Sequence, residues 1–279
     1  MAYKTLLTFI VNGEMLRPTL DFAISMAQHE DAHLEVCCLG VDHTQVGYFY
    51  AGAPAMVYQE TLDRAREEAE ALDKTVRKRL EGTDIRWSAD AAVVQMGGLA
   101  SLVALRARFA DLVIQPRPYG EGRGIEDEAI IESAMFDGQT PVYMLPDDLP
   151  ETPQARRVVV AWNQSNQAMR AIRRALPILK AADLVNIAVI DPPQHGPERS
   201  DPGGMLTQML SRHGVRAEVS VLAKTMPRTT DVLLRHLRDQ DGDLTVMGAY
   251  SHSRFREAIL GGTTRNMLEL SDKPIFMAH

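Results

Sequence analysis

The stretch Arg157-Val-Val-Val-Ala-Trp162-Asn163-Gln164-Ser165 decides the fold when read with its continuation. The chain runs on through Asn166-Gln-Ala-Met-Arg-Ala-Ile-Arg-Arg-Ala-Leu-Pro-Ile-Leu-Lys180 to Leu184-Val-Asn-Ile-Ala-Val-Ile190. Arg157–Trp162 is a short apolar run of the kind that forms a strand buried on both faces. From Ser165 to Lys180 the period changes. Ala168, Ala171, Ile172, Ala175 and Leu179 share one helical face, while Arg170, Arg173 and Arg174 face water. Leu184–Ile190 is apolar again, and strand, helix and strand in this pattern make a parallel crossover unit.

Working outward, the alternation continues. A Pro/Gly loop over Asp191–Gly204 leads to a helix over Met205–His213 that stops at Gly214. Strand Arg216–Leu222, helix Thr229–Arg238, strand Leu244–Met247, a helical segment and strand Pro274–Met277 come next. The first half repeats the plan. Its strands are Tyr3–Val11, His33–Val41, Ile85–Val94, Leu112–Gln115 and Pro141–Leu145, separated by helices near Arg17–Gln28, Tyr58–Leu80, Leu99–Phe109 and Glu126–Phe136. Between the halves lies Pro146-Asp-Asp-Leu-Pro-Glu-Thr-Pro153, which breaks helix and sheet alike. The sequence therefore predicts an α/β fold of two tandem doubly wound five-stranded parallel sheets. The domains are 1–147 and 156–279, joined by a linker at 148–155. Ligands of such sheets bind at the carboxyl ends of the strands where the strand order reverses, here the first and fourth strands of each half.

Composition narrows the function classes. The chain has 279 residues, 45% hydrophobic and 24% charged, which fits two globular domains and excludes extended disorder. No apolar run approaches the roughly 20 residues of a membrane span, and the start reads directly into a strand without a signal-peptide pattern. Two adjacent cysteines, Cys37 and Cys38, make no disulfide framework and read as small apolar residues in a reducing, cytoplasmic setting. Residues 1–150 hold 13 Lys and Arg against 24 Asp and Glu, and residues 151–279 hold 17 against 13. The second half is thus the better anion binder, yet it lacks the aromatic-interleaved basic stripe of a nucleic-acid protein. Neither nucleic acid nor membrane is an expected partner.

The end of the fourth strand of the second half reads Asp243-Leu-Thr-Val-Met-Gly248-Ala-Tyr-Ser251-His252-Ser253-Arg254. Gly261-Gly262 then precede Thr263-Thr264, which open the last helix. Gly248 allows close backbone approach, and Gly261, Gly262, Thr263 and Thr264 offer amides and hydroxyls at a helix N-terminus, an anion site. His252 and Arg254 can add hydrogen bonds or positive charge.

Gly248, two residues, Ser251, nine residues, Gly261, then Gly262 and Thr263: this spacing resembles the nucleotide-binding signature of the universal stress protein family. Asp243-Leu-Thr-Val-Met, Asp272-Lys-Pro-Ile-Phe-Met and the Ser165 turn resemble the family too. The first half is similar in element order alone, so the whole chain resembles a tandem universal stress protein. The resemblance implies an adenine nucleotide alpha hydrolase-like fold with strand order 3-2-1-4-5 and a stress-response role. It implies an ATP site in the second half, with adenine near Trp162, Asn163 and Ser165 and phosphates on Gly261, Gly262 and Thr263. Magnesium would enter through the phosphates only. It also implies pseudo-dimer packing of the two domains and a homodimer. Two positions depart from the pattern: Ser251 replaces a glycine, and Asn163 replaces an aspartate.

The first half lacks the signature. Its fourth strand ends in Gln115-Pro-Arg-Pro-Tyr-Gly120-Glu-Gly122-Arg-Gly124, where Pro116 and Pro118 remove amide donors. Glu126, Asp127 and Glu128 then repel phosphate, so this half reads as a structural or interaction domain. Other chemistries fail on the residues. No Gly-Lys dipeptide supports a P-loop, and Trp162-Asn-Gln-Ser165 is not the Ser-Gly-Gly-x-Asp-Ser loop of ATP-cleaving enzymes with this topology. No zinc spacing or Gly-x-Ser-x-Gly elbow occurs, and Asp239-Gln-Asp241-Gly-Asp243 fails as a calcium loop because position twelve is Tyr250. The sequence nominates no nucleophile with its base. Three readings remain open: regulatory ATP binding, a nucleotide-free interaction protein, and slow ATP hydrolysis or autophosphorylation on Ser251, Ser253, Thr263 or Thr264. Val142–Leu145 and Ile275–Met277 are edge strands and candidates for pairing within or between chains.

Overall fold

The computed structural model describes residues 3–14, 16–43, 55–148, 154–192, 200–249 and 262–279. Two compact units emerge, Tyr3–Thr140 and Pro141–His279. The first contains β1 (Thr5–Ile10), α1 (Leu16–Glu30), β2 (His33–Asp42), α2 (Ala55–Leu80), β3 (Arg86–Gln95), α3 (Leu99–Ala107), β4 (Leu112–Pro116) and α4 (Ile125–Phe136). Its strands run parallel in the order β3-β2-β1-β4. Leu6–Ile10 of β1 and all of β4 are buried, whereas β3 exposes residues on both faces as an outer strand does. Gly40 of β2 meets α2 so closely that a Cβ there would lie 1.8 Å from the Ala65 carbonyl oxygen.

The second unit contains β5 (Val142–Leu145), β6 (Arg157–Ala161), α5 (Asn166–Ala181), β7 (Leu184–Ile190), α6 (Gly204–Arg212), β8 (Ala217–Leu222), α7 (Thr229–Asp239), β9 (Leu244–Gly248), α8 (Thr263–Leu270) and β10 (Ile275–Ala278). The strand order is β5-β10-β9-β6-β7-β8. From β10 to β8 the pairing is parallel; β5 joins β10 antiparallel, with Phe276 opposite Tyr143. The strand order expected of each half is observed, as β3-β2-β1-β4 in the first unit and β8-β7-β6-β9-β10 in the second; β5, read from sequence as the last strand of the first half, falls within the second compact unit. The physical reason lies in β5 and β10 themselves. All four residues of each are buried, so neither tolerates an open edge, and the two candidate edges satisfy each other.

One device fixes the start of the first strand in both units. Asp111 Oδ2 accepts the Lys4 and Thr5 amides at 2.7 and 3.0 Å, and Asp243 Oδ2 accepts the Arg156 and Arg157 amides, both at 2.8 Å. The amides of Asp111 and Asp243 return bonds to the carbonyls of Thr5 and Arg157, each at 2.8 Å. The internal repeat thus extends from element order to individual hydrogen bonds. Among the described residues, no helix is long and apolar enough to cross a membrane.

Candidate functional site

In the second unit β6 and β9 are parallel neighbours, with Ala161 opposite Met247, so their carboxyl ends meet. At that end β6 passes into Trp162, Asn163, Gln164 and Ser165. Trp162 is 6% exposed, and its amide completes the β7 pairing through the Ala188 carbonyl at 3.0 Å. Its indole Nε1, by contrast, is buried without a hydrogen-bond partner among the described residues. Asn163 is exposed, and its Oδ1 accepts the Ser165 amide at 3.2 Å, which closes a tight turn. Gln164 takes the strained left-handed conformation, at φ 61°, that this turn demands. Ser165 then caps α5: its hydroxyl accepts the Ala168 amide at 3.1 Å.

Gly248 closes β9 against that cap. A Cβ on it would lie 2.4 Å from the Ala168 nitrogen, so its missing side chain serves the packing of α5 on β9. Since β9 and β10 are parallel neighbours, α8 runs back between them and starts at the same carboxyl edge. Gly262 sits at its N-cap with no side-chain cap. Thr263 is half-buried, and its carbonyl accepts the Thr230 hydroxyl at 3.5 Å; Thr264 is buried. The structure thus gathers Trp162, Asn163, Ser165 and Gly248 and sets Gly262, Thr263 and Thr264 along the same edge. Ser251, His252, Ser253, Arg254 and Gly261 lie outside the described residues.

Two residues escaped the sequence reading. His279 Nδ1 donates to the Ala249 carbonyl at 3.0 Å, and Arg170 Nη1 donates to the His279 carbonyl at 3.2 Å. The parallel pairing of the last two strands carries the signal, since it puts Ala278 opposite Gly248 and hence His279 beside Ala249.

The corresponding edge of the first unit leaves little space among the described residues. The ends of β1 and β4 leave a cavity of about 10 Å³ lined by Asn12, Thr19, Pro116 and Asp127 among others. That is room for one water. Asp127 turns back to accept the Gly124 amide at 2.8 Å, and burial pushes its carboxyl above the usual range. Among the described residues, no group of three or more His, Cys, Asp or Glu side chains is placed to hold a metal ion.

Known proteins share this fold. Residues 154–279 match the Universal stress protein family. A curated relative, universal stress protein Slr1230 of Synechocystis, is 25% identical over 120 residues, or 43% of this chain and 41% of its own length. The match to this universal stress protein thus spans about two fifths of the relative. Among solved structures, a universal stress protein from Archaeoglobus fulgidus aligns over 98% of this chain and 95% of its own, with a TM-score of 0.76 at 17% identity. A further structure, described as a putative universal stress protein from Pseudomonas aeruginosa, covers 99% of this chain and 93% of its own, with a TM-score of 0.57 at 14% identity. At these identities the two structures establish a shared fold, here along nearly the whole chain.

Proposed function

We propose that the Pro141–His279 unit is a regulatory adenine-nucleotide-binding domain of the universal stress protein type, with ATP as its ligand. The tandem partner, Tyr3–Thr140, has given up that site. The observation that carries this reading is the Trp162 indole N–H, a buried donor without an acceptor among the described residues, at the strand ends where the fold binds ligands. Such a donor costs about 1–3 kcal/mol while unsatisfied, and a ligand acceptor would recover it. The other residues fit the same group. Asn163 is exposed beside Trp162, so its Nδ2 can donate to a base edge. Gly262 and Thr263 present uncapped amides, which suit phosphate oxygens. Magnesium would be held by the phosphates. The bound nucleotide supplies charge and a rigid base, and this chain binds and orients it; regulation rather than turnover is expected because the sequence offers no nucleophile paired with a base.

Calorimetric titration of ATP into the nucleotide-stripped full chain tests the reading. Micromolar binding is expected, and Gly262→Asp abolishes it. Aspartate is a good N-cap, so it keeps α8 folded while its charge repels phosphate. Absence of heat from wild type, or binding that survives Gly262→Asp, would contradict the reading.

A further inference from the structure

The second unit has another cavity, which shares no lining residue with the strand-end site. About 260 Å³ in volume, it lies between the end of β8 and one face of α7, lined by Leu222, Ala223, Thr225, Val232, Arg235, His236 and Asp239. That volume is just below the range of drug-sized pockets and suits a small metabolite.

Its floor is built. His236 is 7% exposed, and its Nε2 stands 2.8 Å from Asn186 Oδ1. Asn186 Nδ2 donates to Glu218 Oε1 at 3.0 Å and to Ser220 Oγ at 2.9 Å. Because a carboxylate only accepts, this fixes the amide orientation. Asn186 Oδ1 is therefore an acceptor, Nε2 carries the imidazole proton, and Nδ1 is left as an acceptor. Burial lowers the His236 pKa, so the ring is neutral at pH 7 and does not repel a cation.

The wall carries one charge of each sign. Arg235 Nε and Asp239 Oδ2 are 3.7 Å apart, a loose pair in which both side chains are about three-fifths exposed. A simple anion would meet Asp239, a simple cation would meet Arg235, and an apolar ligand would desolvate both. A ligand with both charges pairs each of them. We propose that this groove binds a small zwitterion, an α-amino acid with an aliphatic side chain. Its carboxylate takes Arg235 and the Thr225 hydroxyl, its ammonium takes Asp239 and His236 Nδ1, and its side chain covers Leu222 and Val232. The proposal is independent of the nucleotide site.

The test is calorimetry on the full chain with L-leucine, L-valine and L-alanine as probes. Two analogues of leucine, 4-methylpentanoate and 3-methylbutylamine, each keep one charge. Expected are saturable binding of at least one amino acid and at least about tenfold weaker binding of both analogues. Arg235→Gln and Asp239→Asn should each weaken amino-acid binding about tenfold or more. Both side chains are exposed, so the variants keep the wild-type unfolding midpoint. Gly262→Asp leaves amino-acid binding unchanged, which separates this site from the nucleotide site. No saturation up to about 10 mM, well above a Kd of about 1 mM, would overturn the proposal. So would equal binding of a one-charge analogue, or binding that survives both substitutions.

Discussion

Trp162 and His236 show how single residues carry opposite kinds of polar burial. Among the described residues the Trp162 indole N–H has no partner, whereas His236 is locked through Asn186 to Glu218 and Ser220. The lock has a pH consequence. Because burial depresses the folded pKa of His236 below its ordinary 6.5, the unfolded chain binds the extra proton first. Stability from this group is complete above about pH 6.5 and is lost as pH falls from there toward the folded pKa. Asp239 and Glu218 oppose the shift, while Arg235 stands on the same helix face. Thermal midpoints between pH 7.5 and 5.5 (roughly one unit either side of that pKa) should fall more steeply for wild type than for His236→Gln; equal slopes would contradict this. At the cysteines the sequence reading matches the geometry. Cys37 and Cys38 are both buried, with thiols pushed up to about 12 mainly by burial, as inert core groups are.

At the scale of elements the alternation of apolar runs and amphipathic faces was legible because each strand is short, apolar and flanked by turn chemistry. α5 illustrates this: the predicted helix over Ser165–Lys180 and the observed Asn166–Ala181 differ by one residue at each end, with Ser165 as cap. Both β5 and β10 were legible as edges to be paired, but not that each would pair with the other. The four apolar residues of β5 say that it must be covered, and only the folded chain shows β10 covering it. Gly248 had a second meaning as well. Its spacing points to a ligand, yet the close neighbour is the start of α5. Gly248→Val should therefore destabilise the apo protein by about 1–3 kcal/mol through overpacking. Denaturant unfolding without nucleotide measures this, and an unchanged midpoint would refute it.

For the whole molecule, the duplicated Asp111 and Asp243 clamps support one plan used twice. The pairing of β5 with β10 also sets where the chain can be divided. A fragment of residues 141–279 keeps the cover of Ile275–Ala278, whereas residues 156–279 expose it. Light scattering should show the 156–279 fragment associating; a monodisperse fragment would contradict the role given to β5. The overall charge asymmetry was readable from composition, but the nucleotide reading depends on a few atoms at one sheet edge. With two tryptophans in the chain, Trp87→Phe leaves Trp162 as the sole reporter. Titrating ATP into that variant and recording tryptophan emission tests the central claim most directly. A saturable change that Gly262→Asp eliminates is the predicted result, and an emission spectrum indifferent to ATP would contradict the account.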